Sequence, residues 1–286
     1  MRRRILLIVG PTAVGKTAYS IEKALEYGSP IISCDSRQIY KEMPIGTAAP
    51  SIRDRQMVRH YFVRDRSITQ TCTAGDYELE AIDLVEKLFD RGHETLVMTG
   101  GSMLWADAFC YGLDEFPDIP SEIRTHLMKC LESEGLPVLA DELRRCDPQS
   151  YNTIDINNPQ RVIRALEVTV FTGRPFSSFK TAPKRQRSFE IEKIGLRRDR
   201  DELYRRIDER VDLMFKRGLI EEARRLYDYR SLPALQTVGY RELFEYFSGQ
   251  CSLDAAIGHI KRATHNYAKR QMTWWKRDSS IQWIDL

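Results

Sequence analysis

The residues best suited to phosphate chemistry come early in the chain. Gly10, Pro11, Thr12, Ala13, Val14, Gly15, Lys16 and Thr17 fit the spacing G-x-x-x-x-G-K-[ST]. Glycines at these places let the backbone fold closely around phosphate oxygens, and the loop N–H groups add partial positive charge at the start of a helix. Lys16 contributes a full charge, and the Thr17 hydroxyl can ligate Mg2+. Such a loop holds a diphosphate or the phosphate chain of a nucleotide, and does not by itself specify ATP. The alternative, a Gly-rich turn that binds nothing, is disfavoured by the strand before it and the helix after it.

The elements that must position this loop can be read from apolar spacing. Ile5 to Val9 is a compact apolar run suited to a buried parallel strand, and Thr17 to Tyr27 has helical spacing. Pro30 to Ser33 reads as a second strand leading to Asp35. Leu79, Ile82, Val85 and Leu88 mark an amphipathic helix over Ala74 to Arg91, and Thr95 to Thr99 reads as a third strand ending at Gly100-Gly101. This alternation predicts an α/β fold, a P-loop NTPase-like parallel sheet covered by helices. After Gly112, prolines 117, 120 and 137 punctuate helical stretches over Ser121 to Glu134 and Leu136 to Arg145 with no strand between them. The expected division is 1–112 with 188–286 as the P-loop core carrying the catalytic site, and 113–187 as a helical insertion domain. Phe189 to Leu196 returns to the sheet, helices follow at Arg200 to Arg217 and Ala255 to Lys276, and Ile281 to Ile284 suits a last strand.

In a doubly wound sheet the C-terminal strand ends converge on one crevice. Gly10 to Thr17, Asp35-Ser36 and Gly101-Ser102 are therefore expected to face a common site. The third strand ends in Thr99-Gly100-Gly101-Ser102, so no acidic residue caps it as in most NTPases, and the nearest carboxylate is Asp35. An Asp at a strand edge often only caps a helix; its place beside the phosphate loop favours a chemical role.

The 286 residues are 42% hydrophobic and 30% charged, which suits a sizeable core inside a charged surface. Net charge is only +3, but it is unevenly placed. From Ala255 to Arg277 there are six basic residues (Lys261, Arg262, Lys269, Arg270, Lys276, Arg277) and no acidic ones; from Lys184 to Arg230 there are 15 basic and 11 acidic. Such runs are either solvated helix faces or phosphate-backbone contacts, and the interleaved Tyr267, Trp274 and Trp275 favour the second. Six scattered cysteines without C-x-x-C or zinc spacing read as free thiols in a reducing compartment, so a cytoplasmic location is expected. No run is long enough to span a membrane. With no heptad or large apolar stripe, a monomer is expected.

Taken together, several segments resemble the tRNA dimethylallyltransferase (isopentenyltransferase) family. These are Gly10 to Thr17, Asp35-Ser36-Arg37-Gln38-Ile39-Tyr40, Ile45-Gly46-Thr47-Ala48 and Gly100-Gly101-Ser102-Met103-Leu104. Further on come Asn158-Pro159-Gln160-Arg161, Arg164-Ala165-Leu166-Glu167, Val238-Gly239-Tyr240-Arg241 and Ala268-Lys269-Arg270-Gln271 with Thr273-Trp274. They run in the family order over most of the chain. Departures are Trp105 where the family usually has Tyr, His265 where it often has Arg, and a loose match around His60 and Tyr61. No Cys/His module follows Trp283, which is like the bacterial form.

The resemblance implies that dimethylallyl diphosphate is held by the P-loop and Mg2+. The N6 amine of the adenosine 3′ of the anticodon then attacks the allylic carbon and expels diphosphate. Lys16, Thr17 and Arg210 would stabilise the leaving group, Asp35 would be the general base, and Ser102 would lie near the reacting centre. It also implies contacts of the target nucleotide with Asp35, Ser36, Arg37, Gln38 and Ser102. The anticodon stem-loop would meet Gln160, Arg161, Val162, Ile163 and Arg164, then Gln236, Thr237, Val238, Gly239, Tyr240 and Arg241, with Arg124 touching the same arm; Lys269 and Arg270 suit phosphate contacts independently of the resemblance. Without the resemblance, Arg210 reads as a surface ion-pair residue, Ser102 as a helix cap, and Arg161 and Arg164 as a solvated face. Three other activities share the loop: a small-molecule or nucleotide kinase, a prenyltransferase for free adenine nucleotides, and an ATP-dependent RNA-binding module.

Overall fold

The computed structural model describes residues 3–180 and 185–286; Lys184, counted above in a basic stretch, lies outside them. The chain clusters into two compact units: Met1–Tyr111 with Arg187–Leu286, and Gly112–Gln186.

The first unit is built on six parallel strands: β1 (Arg4–Val9), β2 (Ile31–Ser33), β3 (His60–Tyr61), β4 (Thr95–Thr99), β5 (Glu190–Arg197) and β6 (Ile281–Asp285). Their spatial order is β3-β2-β4-β1-β5-β6. β1 pairs with β4 from Arg4↔Thr95 to Ile8↔Thr99 and with β5 from Arg4↔Glu190 to Val9↔Gly195. Its continuous apolar sequence follows from this central place. Ile5, Leu7 and Val9 feed the core on one face of the sheet, while Leu6 and Ile8 feed a separate core on the other.

The helices of this unit are α1 (Lys16–Glu26), α2 (Ile52–Met57), α3 (Ala74–Asp90) and α4 (Met103–Tyr111). After the insertion come α9 (Arg200–Lys216), α10 (Leu219–Arg225), α11 (Tyr240–Phe247) and α12 (Leu253–Trp275). Start signals are explicit in the residues. Thr73 and Asp76 form a reciprocal capping box on α3, Asp199 caps α9 and Ser252 caps α12. The short β3 and α2 were not expected: two strand residues and six helical ones are too few for periodicity to register.

The second unit holds α5 (Ser121–Glu134), α6 (Leu136–Cys146), α7 (Pro148–Thr153) and α8 (Pro159–Thr172) around a core of its own, centred on Leu127, Leu143, Val162, Ile163 and Leu166. α8 shows the usual asymmetry of helix ends: Asn158 accepts from the amides of Gln160 and Arg161, Pro159 opens the first turn, and Gly173 closes it with a left-handed φ of 67°.

Candidate active site

Because β4 lies between β1 and β2, the loops leaving these three strands come together, as expected from the sequence. They line a cleft of about 670 Å³ whose walls include Thr12 to Thr17 in part, Asp35 to Gln38, Gly46 to Ala48 and Gly100-Gly101. α9 adds Arg206 and Arg210, the 236–241 segment adds Gln236, Thr237, Val238, Gly239 and Arg241, and α12 adds Tyr267, Arg270 and Gln271.

The phosphate loop is held from outside by its own carbonyls. Lys16 Nζ donates to Gly10 O (2.8 Å) and Pro11 O (2.9 Å), Arg206 Nε to Ala13 O (3.0 Å), and Arg198 Nε to Val14 O (2.8 Å). With the carbonyls bound by cations, the amides of Ala13, Gly15, Lys16 and Thr17 make no backbone hydrogen bond among the described residues. That is the polarity an anion-binding nest needs. Gly10 must be glycine, because its φ is +143° and a Cβ there would sit 2.6 Å from Leu196 O. Burial pulls the Lys16 ammonium down to about 8, with Arg210 pulling the same way and the Asp35 carboxylate opposing.

Arg210 is part of this site rather than a surface ion-pair residue. Its guanidinium donates to Thr12 Oγ1 (2.5 Å), and burial lowers its pKa to about 10, so it stays charged at neutral pH. Its Nε is buried without a hydrogen-bond partner among the described residues. An uncompensated buried donor of this kind costs about 1–3 kcal/mol, and an incoming anion would relieve it.

Asp35 does two jobs with two oxygens. Oδ1 accepts from the amides of Arg37 (3.0 Å) and Gln38 (3.2 Å), which fixes the turn after β2. Oδ2 faces Gly101, 3.3 Å from where a Cβ would be. Gly101 is therefore required by close approach: a side chain would press on Asp35 and on Gln271 Nε2 at 2.8 Å.

Ser102 braces the site rather than capping a helix. Its Oγ accepts from the Ser36 amide (2.8 Å) and donates to Ser36 Oγ (2.9 Å), which joins the β2 and β4 loops. Arg37 donates to Pro233 O (2.9 Å) and Ala234 O (3.2 Å), and Gln38 Nε2 donates to Thr47 O and Ala48 O, both at 3.2 Å.

Three RNA-contact expectations are corrected by burial. Tyr240 has no exposed surface, and its hydroxyl donates to Glu222 Oε1 at 2.6 Å. Val162 and Ile163 are likewise 0% exposed in the core of the second unit. Each motif stretch reads as one contiguous contact, whereas an α-helix, with about 3.6 residues per turn, turns one stripe of its side chains into the core. Gln160, Arg161 and Arg164 keep their polar ends outward. Arg124 donates to Glu167 Oε1 (2.8 Å) and Gln160 Oε1 (2.5 Å), and Arg164 pairs with Glu167 Oε2 (3.4 Å) while lying 5.1 Å over the Phe116 ring. Lys269 and Arg270 are exposed on α12.

Some site residues carried no readable signal. Glu222 is buried and accepts from the amides of Ile45 (2.9 Å) and Gly46 (2.8 Å) as well as from Tyr240, so it holds the 45–48 wall of the cleft. Arg198, in the turn between β5 and α9, and Arg206, on α9, look like any charged surface residues until the fold brings them to the loop. Gln271 was detectable in principle, as a polar residue on the otherwise mostly apolar buried stripe Ala256, Ile260, Thr264, Ala268 and Trp275. Trp105 is core: it is 4% exposed and stacks on Tyr77 with centroids 4.2 Å apart.

Among the described residues no cluster of three His, Cys, Asp or Glu could hold a metal. Thr17 is exposed, and its hydroxyl makes no hydrogen bond among the described residues. That donor set fits Mg2+, which takes one or two protein oxygens and fills the rest of its shell with phosphate and water.

Fold and cleft thus define a P-loop enzyme in which the carboxylate nearest the phosphate loop, Asp35, follows the neighbouring strand β2. The family model described as IPP transferase matches residues 38–278. Over 280 residues the chain is 50% identical to a protein of Parabacteroides distasonis named tRNA dimethylallyltransferase 2, covering 98% of this chain and 93% of that one. It is 48% identical to a protein of the same name from Azobacteroides pseudotrichonymphae, covering 99% and 92%. The crystal structure of the full-length tRNA isopentenylpyrophosphate transferase of Bacillus halodurans superposes with a TM-score of 0.72 at 34% identity, over 99% of this chain and 90% of that one. A eukaryotic dimethylallyltransferase described as acting on tRNA superposes at 0.79 with 26% identity, over 99% and 74%. The chain belongs to the IPP transferase family, with the bacterial tRNA dimethylallyltransferases. No helix among the described residues is long and apolar enough to cross a membrane.

Proposed function

We propose that this chain is a tRNA dimethylallyltransferase. It moves a dimethylallyl group from dimethylallyl diphosphate to N6 of the adenosine 3′ of the anticodon and releases diphosphate. The observation that carries the reading is the meeting, in one cleft, of loop amides that make no backbone hydrogen bond and an Asp35 Oδ2 that accepts no hydrogen bond among the described residues. A leaving anion and an incoming amine need these two partners side by side.

In the transfer, the N6–carbon bond forms as the allylic carbon–oxygen bond breaks, and the electron pair of that bond leaves with the diphosphate. Negative charge grows on the leaving oxygens, where the loop amides, Lys16 and Arg210 act as donors. Asp35 Oδ2 takes the N6 proton while Oδ1 stays bound to the turn amides. Mg2+, held by Thr17 and phosphate oxygens, would supply further charge neutralisation. An adenine within a duplex cannot reach such a site, so the base must be extruded from its stack.

On this reading the first unit is the catalytic core and the helical insertion, with 113–187 as its extent, contacts tRNA. Gln160, Arg161, Arg164 and Arg124 would meet the anticodon stem-loop. Ser36, Arg37, Gln38, Gln236, Thr237, Val238, Gly239, Arg241, Lys269 and Arg270 would line the path of the target nucleotide and its phosphates. We read the working species as a monomer in the cytoplasm, in keeping with six free thiols.

The test is transfer of label from dimethylallyl diphosphate to unmodified tRNA bearing an adenine beside the anticodon, with Mg2+ present. Label on AMP with none on tRNA would point to a free-nucleotide prenyltransferase. Phosphorylation of a small acceptor by ATP would point to a kinase.

A further inference from the structure

Gln271 is completely buried on α12, yet both ends of its amide are used. Oε1 accepts from the Thr12 amide at 2.8 Å, and Nε2 donates to Gly101 O at 2.9 Å. Each partner sits beside a reacting group. Thr12 belongs to the phosphate loop and receives Arg210 on its hydroxyl. Gly101 faces Asp35 Oδ2, and its carbonyl also accepts from Tyr267 OH at 2.8 Å.

We propose that Gln271 is a positioning residue for prenyl transfer: its amide spans the phosphate loop and the Asp35 edge and sets the separation between the leaving diphosphate and the base. This inference rests on the transfer reaction proposed above. The physical case has three parts. First, β1 and β4 are joined by backbone hydrogen bonds only as far as Ile8↔Thr99, so beyond their ends the two loops need another tie. Second, a primary amide is the shortest side-chain group that offers one donor and one acceptor pointing in different directions from a single rigid plane. An apolar residue would satisfy neither loop, and a carboxylate would satisfy only one. Third, an amide N–H in the phosphate loop would ordinarily be expected to serve phosphate; at Thr12 it is given to Gln271. That exchange gives up one anion contact for a fixed register between the two halves of the site. Tyr267 supports Gly101 from the same helix but makes no hydrogen bond to the phosphate loop among the described residues, so it cannot replace the span.

The inference separates binding from turnover, because each half keeps its own ligand contacts when the tie is cut. The test uses the full-length protein with Gln271→Met, which is similar in length and apolar, and Gln271→Glu. Both are checked for folding by thermal melting. Transfer to tRNA is followed for kcat, KM for dimethylallyl diphosphate and tRNA affinity, between pH 5.5 and pH 8.5 (~3 units, spanning the range in which a buried Glu titrates). Gln271→Met is expected to lower kcat by about 10- to 100-fold, the loss typical of a misplaced reacting pair, with KM and tRNA affinity close to wild type. Gln271→Glu is expected to recover relative to wild type as pH falls, since a protonated carboxyl regains one donor and one acceptor. The ratio of Gln271→Met to wild type should not depend on pH. Wild-type kcat in both variants overturns the inference. So does a KM or tRNA affinity that worsens in step with kcat, or a Gln271→Glu ratio that is flat across the pH range. A wild-type protein that never labels tRNA overturns the transfer reading and this inference with it, whereas active wild type with fully active variants removes only the role of Gln271.

Discussion

The phosphate loop and the outer face of α8 both depend on cations, and they use them in opposite ways. At the loop, Lys16, Arg198 and Arg206 spend donors on backbone carbonyls, and Arg210 spends one on the Thr12 hydroxyl. At α8, Arg124 and Arg164 remain 46% and 42% exposed, and both rest on the single buried carboxylate of Glu167. On the proposed reading, the difference follows from what each must meet. Breaking a carbon–oxygen bond requires donors fixed before the charge develops, so rigidity is worth the loss of free donors. Holding an RNA backbone requires accessible charge, and one acidic anchor limits the wandering of two long side chains without neutralising both.

The sharpest way to break this contrast is to remove the group that the rigid side serves. Asp35→Asn keeps an acceptor for the Arg37 and Gln38 amides but cannot take a proton. Turnover should fall by about two to four orders of magnitude, the span of general-base catalysis, with tRNA affinity retained. Near-normal turnover in that variant would reduce Asp35 to a turn residue.

A smaller effect comes from pH. Burial lowers the Lys16 pKa from its ordinary value to about 8 in the free protein, so the charged form is lost as pH rises through 8. The loop needs that charge to receive a diphosphate. kcat/KM for dimethylallyl diphosphate should therefore decline above pH 8, by up to about tenfold per unit, and level off below it. A profile that stays flat from pH 7 to pH 10 (~3 units, enough to titrate a group near 8) would mean that the loop does not draw on Lys16 charge.

The smallest effect belongs to the exposed side. Arg164→Ala should weaken tRNA binding several-fold and reduce its log–log salt slope by about 1, leaving kcat at saturating tRNA unchanged. An unaltered slope would show that the Arg164 guanidinium, stacked over Phe116, serves the insertion rather than the RNA.

The exposed side was also where motif reading went furthest astray. Gln160 to Arg164 reads as one contiguous contact, but the helix sends Val162 and Ile163 into the core. Tyr240 fails for a related reason: Glu222, distant in sequence, claims its hydroxyl. The phosphate loop had no such ambiguity, because its chemistry lies in the backbone of consecutive residues.

What the amino-acid order determined alone was whatever depends on neighbours along the chain: the strand–loop–helix unit, the loop's glycines, the caps of α3, α8 and α12, and the placing of carboxylate and phosphate loop on successive strand ends. Tertiary structure alone decided what depends on partners far apart in sequence. It drew Arg198 and Arg206 to loop carbonyls, turned Ser102 toward Ser36, buried Glu222 under the 45–48 wall, and laid Gln271 across 259 positions to reach Thr12. A hydrogen bond requires a partner about 3 Å away in space, and no local pattern records which distant residue will supply it.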